Sequence, residues 1–294
     1  MPARPGARAG GELMRLAAVY CVYNEEEYIE YSIRSIYDAV DRVYVLLGRQ
    51  PYTAYNAQAR EQFQRADETE AIVRALAATH PKILLVPGVW ASEMEHRNAG
   101  LALCWRDRMD YLLLVDGDEV YRRDHLDALR AEIGAHPEVG QFIIKCDLFW
   151  RSFRYRIPAN DMPWMPRRVF KLTRWSQLGN VRLPVPWRCR FVGNNKTNSW
   201  GSVYHLEPAR VIFYHFSFAR RPEKMREKLL TYSHAHEIQD GWFERVWLRW
   251  PQERQMRNLN PVDPPKLPQA VFKEPADLPE IMKTHPYYRE EIIN

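Results

Sequence analysis

Nowhere in the 294 residues do 18 apolar residues follow one another, so no segment is long enough to cross a bilayer as a helix. Residues 1–11 carry Pro, Gly, Ala and Arg but no apolar stretch. They lack the core of a secretory signal, and residues 1–13 read as a disordered leader. Cysteine is scarce: Cys21, Cys104, Cys146 and Cys189 stand far apart, with no Cys-x-x-Cys spacing. That argues against a disulfide framework or a zinc site, and for reduced thiols in a cytoplasmic protein. No internal repeat is found. Acid is almost missing from one stretch: residues 150–191 hold Asp161 alone. The rest is ordinary. With 46% hydrophobic and 27% charged residues, the chain can bury a sizeable core as one large domain or one domain with an appendage.

What is present is concentrated at one place. Tyr111-Leu112-Leu113-Leu114-Val115 reads as a strand buried on both faces. Asp116-Gly117-Asp118-Glu119 follows at once. In an open α/β sheet, ligands bind at the carboxyl ends of the strands. Three carboxylates crowded there repel one another unless a cation neutralises them. Hard oxygen ligands suit Mg²⁺ or Mn²⁺, which in turn hold phosphate oxygens. The alternative is a plain acidic turn, since Asp and Gly are turn residues.

Strands and capped helices alternate through the first half. Residues 16–22 read as a strand, and Asn24-x-x-Glu27 has the pattern of a capping box ahead of Ile29, Ile33, Ile36 and Val40 at helical spacing. A second strand spans residues 42–47. Asp67-x-x-Glu70 caps a further helix, residues 83–86 form a third strand, and Ser92-x-x-Glu95 caps a third helix. After the fourth strand, a helix from Asp124 leads to a fifth strand over residues 141–149. This order predicts a mostly parallel sheet with helices on both faces. Later, residues 211–216 read as a strand and 222–239 as a helix opened by Pro222. The proline-rich stretch 251–294 keeps Val271, Phe272, Ile281, Tyr287 and Tyr288, and reads as an extended arm packed on the domain.

Tyr23-Asn24-Glu25-Glu26 after the first strand, His96-Arg97-Asn98 opening a helix, and an apolar strand closed by Asp116-x-Asp118-Glu119 together resemble the family 2-like glycosyltransferases of the GT-A fold. The resemblance covers residues 16–119 well and residues 211–239 less clearly. It implies a GT-A-like α/β fold: a Rossmann-type, mostly parallel sheet flanked by helices, with a C-terminal acceptor-side extension. It places a nucleotide-sugar-binding half at 14–149, an acceptor-side half at 150–250 and the arm at 251–294. It implies a nucleotide-diphosphate sugar as donor, a UDP-sugar favoured, with Mn²⁺ or Mg²⁺ on the diphosphate. By position, Asn24 and Glu25 meet the nucleotide, and Tyr23 or Tyr20 packs on the base. Arg97 and Asn98 lie near the sugar and diphosphate. Asp116 and Asp118 match the metal pair, Asp118 the more direct ligand, and His215 looks like the C-terminal metal or diphosphate ligand. One departure is plain. The family's acidic residue after the second strand is missing from Leu46-Leu47-Gly48. Asp67 then either faces the nucleotide or only caps a helix.

The stretch 150–191 has ten basic residues against Asp161, an excess of nine that exceeds the whole chain's +5. The rest of the chain is therefore net acidic. Arg151, Arg154, Arg156, Arg167 and Arg168 are interleaved with aromatics including Trp164 and Trp175. Arginine with aromatic rings is the chemistry of nucleic-acid grooves. An anionic acceptor is expected: either DNA carrying a hydroxymethylated base, as for a phage enzyme working in its host's cytoplasm, or a polysaccharide or glycolipid. In the first case the base must be flipped out of the duplex. Internal packing of these arginines is the other possibility. The general base is open among Asp161, Asp147 and Glu119. A non-catalytic protein that binds sugar nucleotides or nucleic acid is the alternative of a different class.

Overall fold

The computed structural model describes residues 14–52, 67–163, 165–172, 202–231 and 233–294. Trp164 and Trp175 lie outside the described residues. The larger sheet contains β1 (Leu16–Val22), β2 (Arg42–Gly48), β3 (Ile83–Gly88), β4 (Tyr111–Val115), β6 (Val139–Ile143), β9 (Arg167–Lys171) and β10 (Ser202–His205), in the order β10-β6-β9-β4-β1-β2-β3. β9 pairs antiparallel with both β4 and β6; every other pairing in this sheet is parallel.

The helices are α1 (Ile29–Ile36), α2 (Thr69–Thr79), α3 (Glu93–Arg106), α4 (Arg123–Ala135) and α5 (Pro222–Thr231). Side chains alternate across a strand, so β1 serves two cores. Leu16, Ala18, Tyr20 and Val22 pack in the cluster that holds Ile29, Ile33 and Ile36 of α1, Val73 of α2 and Leu126 and Leu129 of α4. Ala17 and Val19 pack with Leu101 and Cys104 of α3. Burying each such Leu, Ile or Val contributes roughly 1.5–3 kcal/mol. α3 sits very close to β1. A Cβ on Gly100 would stand 2.4 Å from Val19 Cγ1, so only glycine allows the approach.

A second sheet runs in the order β12-β8-β7-β11-β5. Its strands are β5 (Glu119–Val120), β7 (Lys145–Trp150), β8 (Tyr155–Ile157), β11 (Ile212–Phe218) and β12 (Val271–Phe272). The single fifth strand expected over residues 141–149 is thus two strands in two sheets. Ile144 marks the switch, its N–H donating to Pro166 O. Burial runs through both halves apart from Lys145, and no Gly or Pro lies between residues 141 and 149 to signal the break. α5 ends at Thr231, short of residue 239. The Asn24 capping box also does not form. Asn24 has φ +49°, α1 begins only at Ile29, and the Asn24 amide donates to Glu227 of α5 instead.

The stretch 251–294 lies across the second sheet. Leu278, Met282, Tyr287 and Ile293 share a core with Tyr28, Phe149, Phe153, Tyr214 and Phe216. Among the described residues, no helix is long and apolar enough to cross a membrane. Cys21, Cys104 and Cys146 take part in no disulfide.

Candidate donor and metal site

β4 ends at the acidic motif, and the two-residue strand β5 turns that motif onto β11. Glu119 pairs with His215 and Val120 with Tyr214. The Phe216 N–H donates to Asp118 O at 2.9 Å. Residues opposite in a ladder share a face, so Glu119 and His215 project together. Carboxylate oxygens of Asp116 and Glu119 and a ring nitrogen of His215 all lie within 4.8 Å of one another. This set of two hard carboxylates and an imidazole fits Mn²⁺ or Mg²⁺. Arg168 of β9, fully buried, pairs with Glu119 and lies 3.4 Å from Asp116 Oδ2. It balances the cluster's charge.

Asp118 stands apart from this set. Its carboxylate, almost fully buried, accepts from Lys228 Nζ at 2.5 Å and Arg220 Nη2 at 2.8 Å, and faces His215 Nε2 at 3.2 Å. Burial alone would raise its pKa, but Lys228, His215 and Arg220 outweigh burial and hold it well below the usual carboxylate range. Asp118, expected as the more direct metal ligand, turns one oxygen to Lys228 and Arg220 and the other to His215. The metal-competent group contains Glu119 in its place.

Gly117 explains how the first loop reaches the motif. A Cβ there would stand 2.8 Å from Glu25 Cγ. Glu25 and Glu27 both pair with Arg220, at 2.5 and 3.1 Å. Burial pushes the Glu25 carboxyl up to about 7 against the pull of Arg220. Asp67 does two jobs at once: Oδ1 accepts from Thr69 N–H at the start of α2, while Oδ2 accepts from Glu26 N–H and from Lys224 Nζ at 3.1 Å. It is both a helix cap and a tie between the first loop and α5. Tyr23 is half-buried, its hydroxyl pushed up to about 12 by burial and by Glu227 and Asp67. Tyr20 is wholly buried, with its hydroxyl on Ser32. It cannot stack on a base.

At the N-terminal end of α3, His96 is held between Trp90, stacked at 3.9 Å, and Tyr52. Its Nε2–H donates to Leu46 O, leaving Nδ1 to accept from the Tyr52 hydroxyl. Burial pushes His96 down to about 3, so the ring is neutral. Arg97 is buried and pairs with Glu93. Asn98 donates to Met94 O at 2.8 Å. His96 thereby packs against the carboxyl end of β2.

The expected acceptor side is rearranged. Arg156 is fully buried between Asp147 at 2.9 Å and Asp277 at 2.7 Å. Arg154 pairs with Glu274 at 2.5 Å. Arg151 is buried over the Trp247 ring at 3.7 Å, and Arg168 pairs with Glu119 and Asp116. None of these four forms an exposed phosphate-binding surface; Arg167 is half-buried. Asp147, expected as a candidate base, pairs opposite Tyr214 in the parallel ladder. It therefore faces away from His215, and Arg156 and the Ala159 N–H take its two oxygens. It cannot reach the cluster. Asp161 is exposed on the turn after β8 and makes no hydrogen bond or ion pair with the cluster.

Arg220, Lys224, Lys228 and Glu27 escaped the sequence reading. A signal existed: Lys224 and Lys228 are four apart, on one helical face, just after His215.

No family model matches the chain, and no curated protein matches it. It is similar in structure to S. aureus TarS 1–349, at 14% identity over 82% of this chain and 78% of that chain, with TM-score 0.45. TarS in complex with UDP-GlcNAc aligns at 18% identity over 46% of this chain and 35% of that one, with TM-score 0.36. The mannosyltransferase PcManGT from Pyrobaculum calidifontis, solved with GDP-Man and Mn²⁺, aligns at 22% identity over 53% of this chain and 44% of that one, with TM-score 0.35. The chain thus spans less than half the length of the last two, and at these identities the chemistry has to be argued from its own residues.

Proposed function

We propose that the protein is a metal-dependent glycosyltransferase that moves a sugar from a nucleotide-diphosphate donor, a UDP-sugar in the favoured case, to an acceptor hydroxyl with inversion. The observation that carries this reading is the convergence of Asp116, Glu119 and His215 at the carboxyl end of a parallel strand, beside the Asn24-Glu25-Glu26 loop and a cationic helix. Asp116, Glu119 and His215 would hold the metal, which would neutralise charge on the leaving diphosphate. Tyr23 and Asp67 border the nucleotide, and Arg97 and Asn98 border the sugar. Of the three candidate bases, Glu119 belongs to the metal group and Asp147 is locked by Arg156. Asp161 is the carboxylate left to take the acceptor's proton.

The burial of Arg151, Arg156 and Arg168 favours a glycan or glycolipid acceptor over DNA with a hydroxymethylated base. The test is a screen of UDP- and GDP-sugars for hydrolysis with Mn²⁺ or with EDTA. Hydrolysis of one donor class that EDTA abolishes supports the reading. No turnover and no binding of any sugar nucleotide sinks it. A companion measurement separates the acceptors: polynucleotide binding through four phosphates would lose affinity with a log–log salt slope of roughly −3 to −4. A glycan acceptor gives no such slope.

A further inference from the structure

We propose that Arg151, stacked on Trp247, is the binding site for a single oxyanion, a carboxylate or a phosphate, that no side chain of the described residues supplies. Five arginines are almost wholly buried among those residues: Arg97, Arg151, Arg156, Arg168 and Arg220. Four of them face an acid: Arg97 faces Glu93, Arg156 Asp147, Arg168 Glu119 and Arg220 Glu25. Arg151 does not. It is 3% exposed, its Nε and Nη1 are buried with no hydrogen-bond partner, and its side chain forms no ion pair among the described residues. Burial pushes its pKa down to about 10, and no neighbouring charge acts on it in either direction. A buried cation without a counter-ion is costly for a fold to hold. The Trp247 ring, its centre 3.7 Å from the guanidinium carbon, offsets part of that cost. It gives the in-plane N–H groups no acceptor.

The surroundings hold the guanidinium in place. Arg151 has φ +56°, a left-handed conformation that costs energy in a residue with a side chain. It is pinned there from both sides. Its N–H donates to Phe218 O at 2.9 Å, and its carbonyl accepts from Ile293 N–H at 2.8 Å. Trp247 lies on a stretch wound as a π-helix, Phe243–Leu248, a rare form that recurs at functional sites. Its Nε1–H donates to the same Phe218 O at 3.4 Å, so one carbonyl sets both members of the pair. The place in the fold also suits a ligand. Trp150, the last residue of β7, pairs with Phe218, the last of the parallel β11. Arg151 follows at the carboxyl ends of both strands, where α/β sheets take ligands. Asn294, next to Ile293, is exposed, so the pair lies close beneath the surface. The planar fork of a guanidinium matches a carboxylate or a phosphate with two parallel bonds. That anion has two sources: a free small oxyanion, or the charged group of an acceptor glycan. Only the second rests on the glycosyltransferase reading above.

The experiment uses the full chain in low-salt buffer with EDTA, so that no metal carries an anion to the acidic cluster. The probes are orthophosphate, acetate, glucose 6-phosphate and glucuronate, with glucose and NaCl of matched ionic strength as blanks. Calorimetry reads affinity and circular dichroism checks folding. The wild type should bind one equivalent of at least one of these anions. Arg151→Met should weaken that binding about 10- to 100-fold, the cost of losing a charge-assisted contact. Without added oxyanion it should unfold at no lower temperature than the wild type, because it removes an unpaired buried charge. Arg151→Lys keeps the charge and loses the fork, and should bind between the two. Trp247→Phe should weaken binding about 2- to 5-fold. Orthophosphate or acetate binding as tightly as the sugar-borne anions makes a free oxyanion the occupant. Sugar-borne anions binding at least about 10-fold tighter make it the charged group of the acceptor. No binding above the NaCl blank overturns the proposal. So does binding that persists unchanged in a folded Arg151→Met protein or, should that variant not fold, in Arg151→Lys. Anion binding that survives alongside a failed donor screen counts against the glycosyltransferase reading and leaves the site standing.

Discussion

The two sheets solve the same problem by opposite means. In the larger sheet, β1 is hydrogen-bonded to β2 and β4, and its faces are covered by helices that follow within the first 135 residues. Around β1 its burial is almost wholly apolar, although Arg168 of β9 and Gln141 of β6 are also fully buried. In the second sheet, β7 and β8 enclose the fully buried Arg156, whose acids are Asp147 nearby and Asp277 on the distant stretch 251–294. The first sheet is stabilised by hydrophobic burial that tolerates small errors. The second depends on charges that are stabilising only while every partner is in place. A basic stretch therefore has two meanings, and the position of the acids decides between them.

The largest effect should come from breaking that buried ionic link. Arg156→Leu leaves Asp147 without a cation and Asp277 with Lys273 alone, and should cost about 3–5 kcal/mol. By contrast, Arg34→Ala, which removes an exposed pair with Glu30 on α1, should cost less than about 1 kcal/mol. Urea unfolding of both variants measures the contrast; equal losses would erase it. Next in size is chemistry. Asp116→Ala should lower donor turnover by about 100-fold or more, since a bound metal supplies several kcal/mol. Asp147→Asn, in the second sheet and facing away, should leave turnover within about 3-fold. Steady-state rates with saturating Mn²⁺ check both.

Gly117→Ala comes third. The new Cβ would meet Glu25, and overpacking of this kind costs about 1–3 kcal/mol; differential scanning calorimetry reads it. A change of slope rather than height is expected from Glu25→Gln. Burial pushes the Glu25 carboxyl up to about 7 from the ordinary 4.5. The folded protein thus binds this proton more tightly than the unfolded chain. Its contribution is fully present below the unfolded value and is lost as pH rises through 7. Denaturant midpoints taken across that window should fall with pH in the wild type and fall less in Glu25→Gln. Smallest is Gly134→Ala in α4, where a Cβ meets nothing within 4 Å. It should stabilise by about 0.5–1 kcal/mol, a gain visible in thermal unfolding.

The same contrast decides what could be read beforehand. β1 to β4 were legible because apolar periodicity and caps are local: Ser92 does accept from the Glu95 N–H. The sheet switch at Ile144 was not, because strands buried on both faces look alike on either side of it. Asp116 was legible from its position after β4, and His215, which lies within β11, from the family resemblance. Glu119's place with them was not, since it depends on the β5 register against β11. Arg154 and Arg156 read as phosphate contacts because their partners Glu274 and Asp277 lie more than a hundred residues away. Nothing in the local pattern pairs a charge with an acid so remote.

The contacts of Glu27 carry that remoteness into time. Tyr287 donates to its carboxylate and His285 to its carbonyl, across 260 and 258 positions. Glu27 in turn holds Arg220, which holds Asp118. Closing so long a loop is entropically slow compared with forming the neighbouring βα units. During synthesis the parallel strands can therefore pair early, while the loop that carries Glu27 waits for residues made near the end. A nascent chain should hold a formed parallel sheet without a settled Glu27 loop. Docking of 285–287 then acts as the late step that fixes that loop.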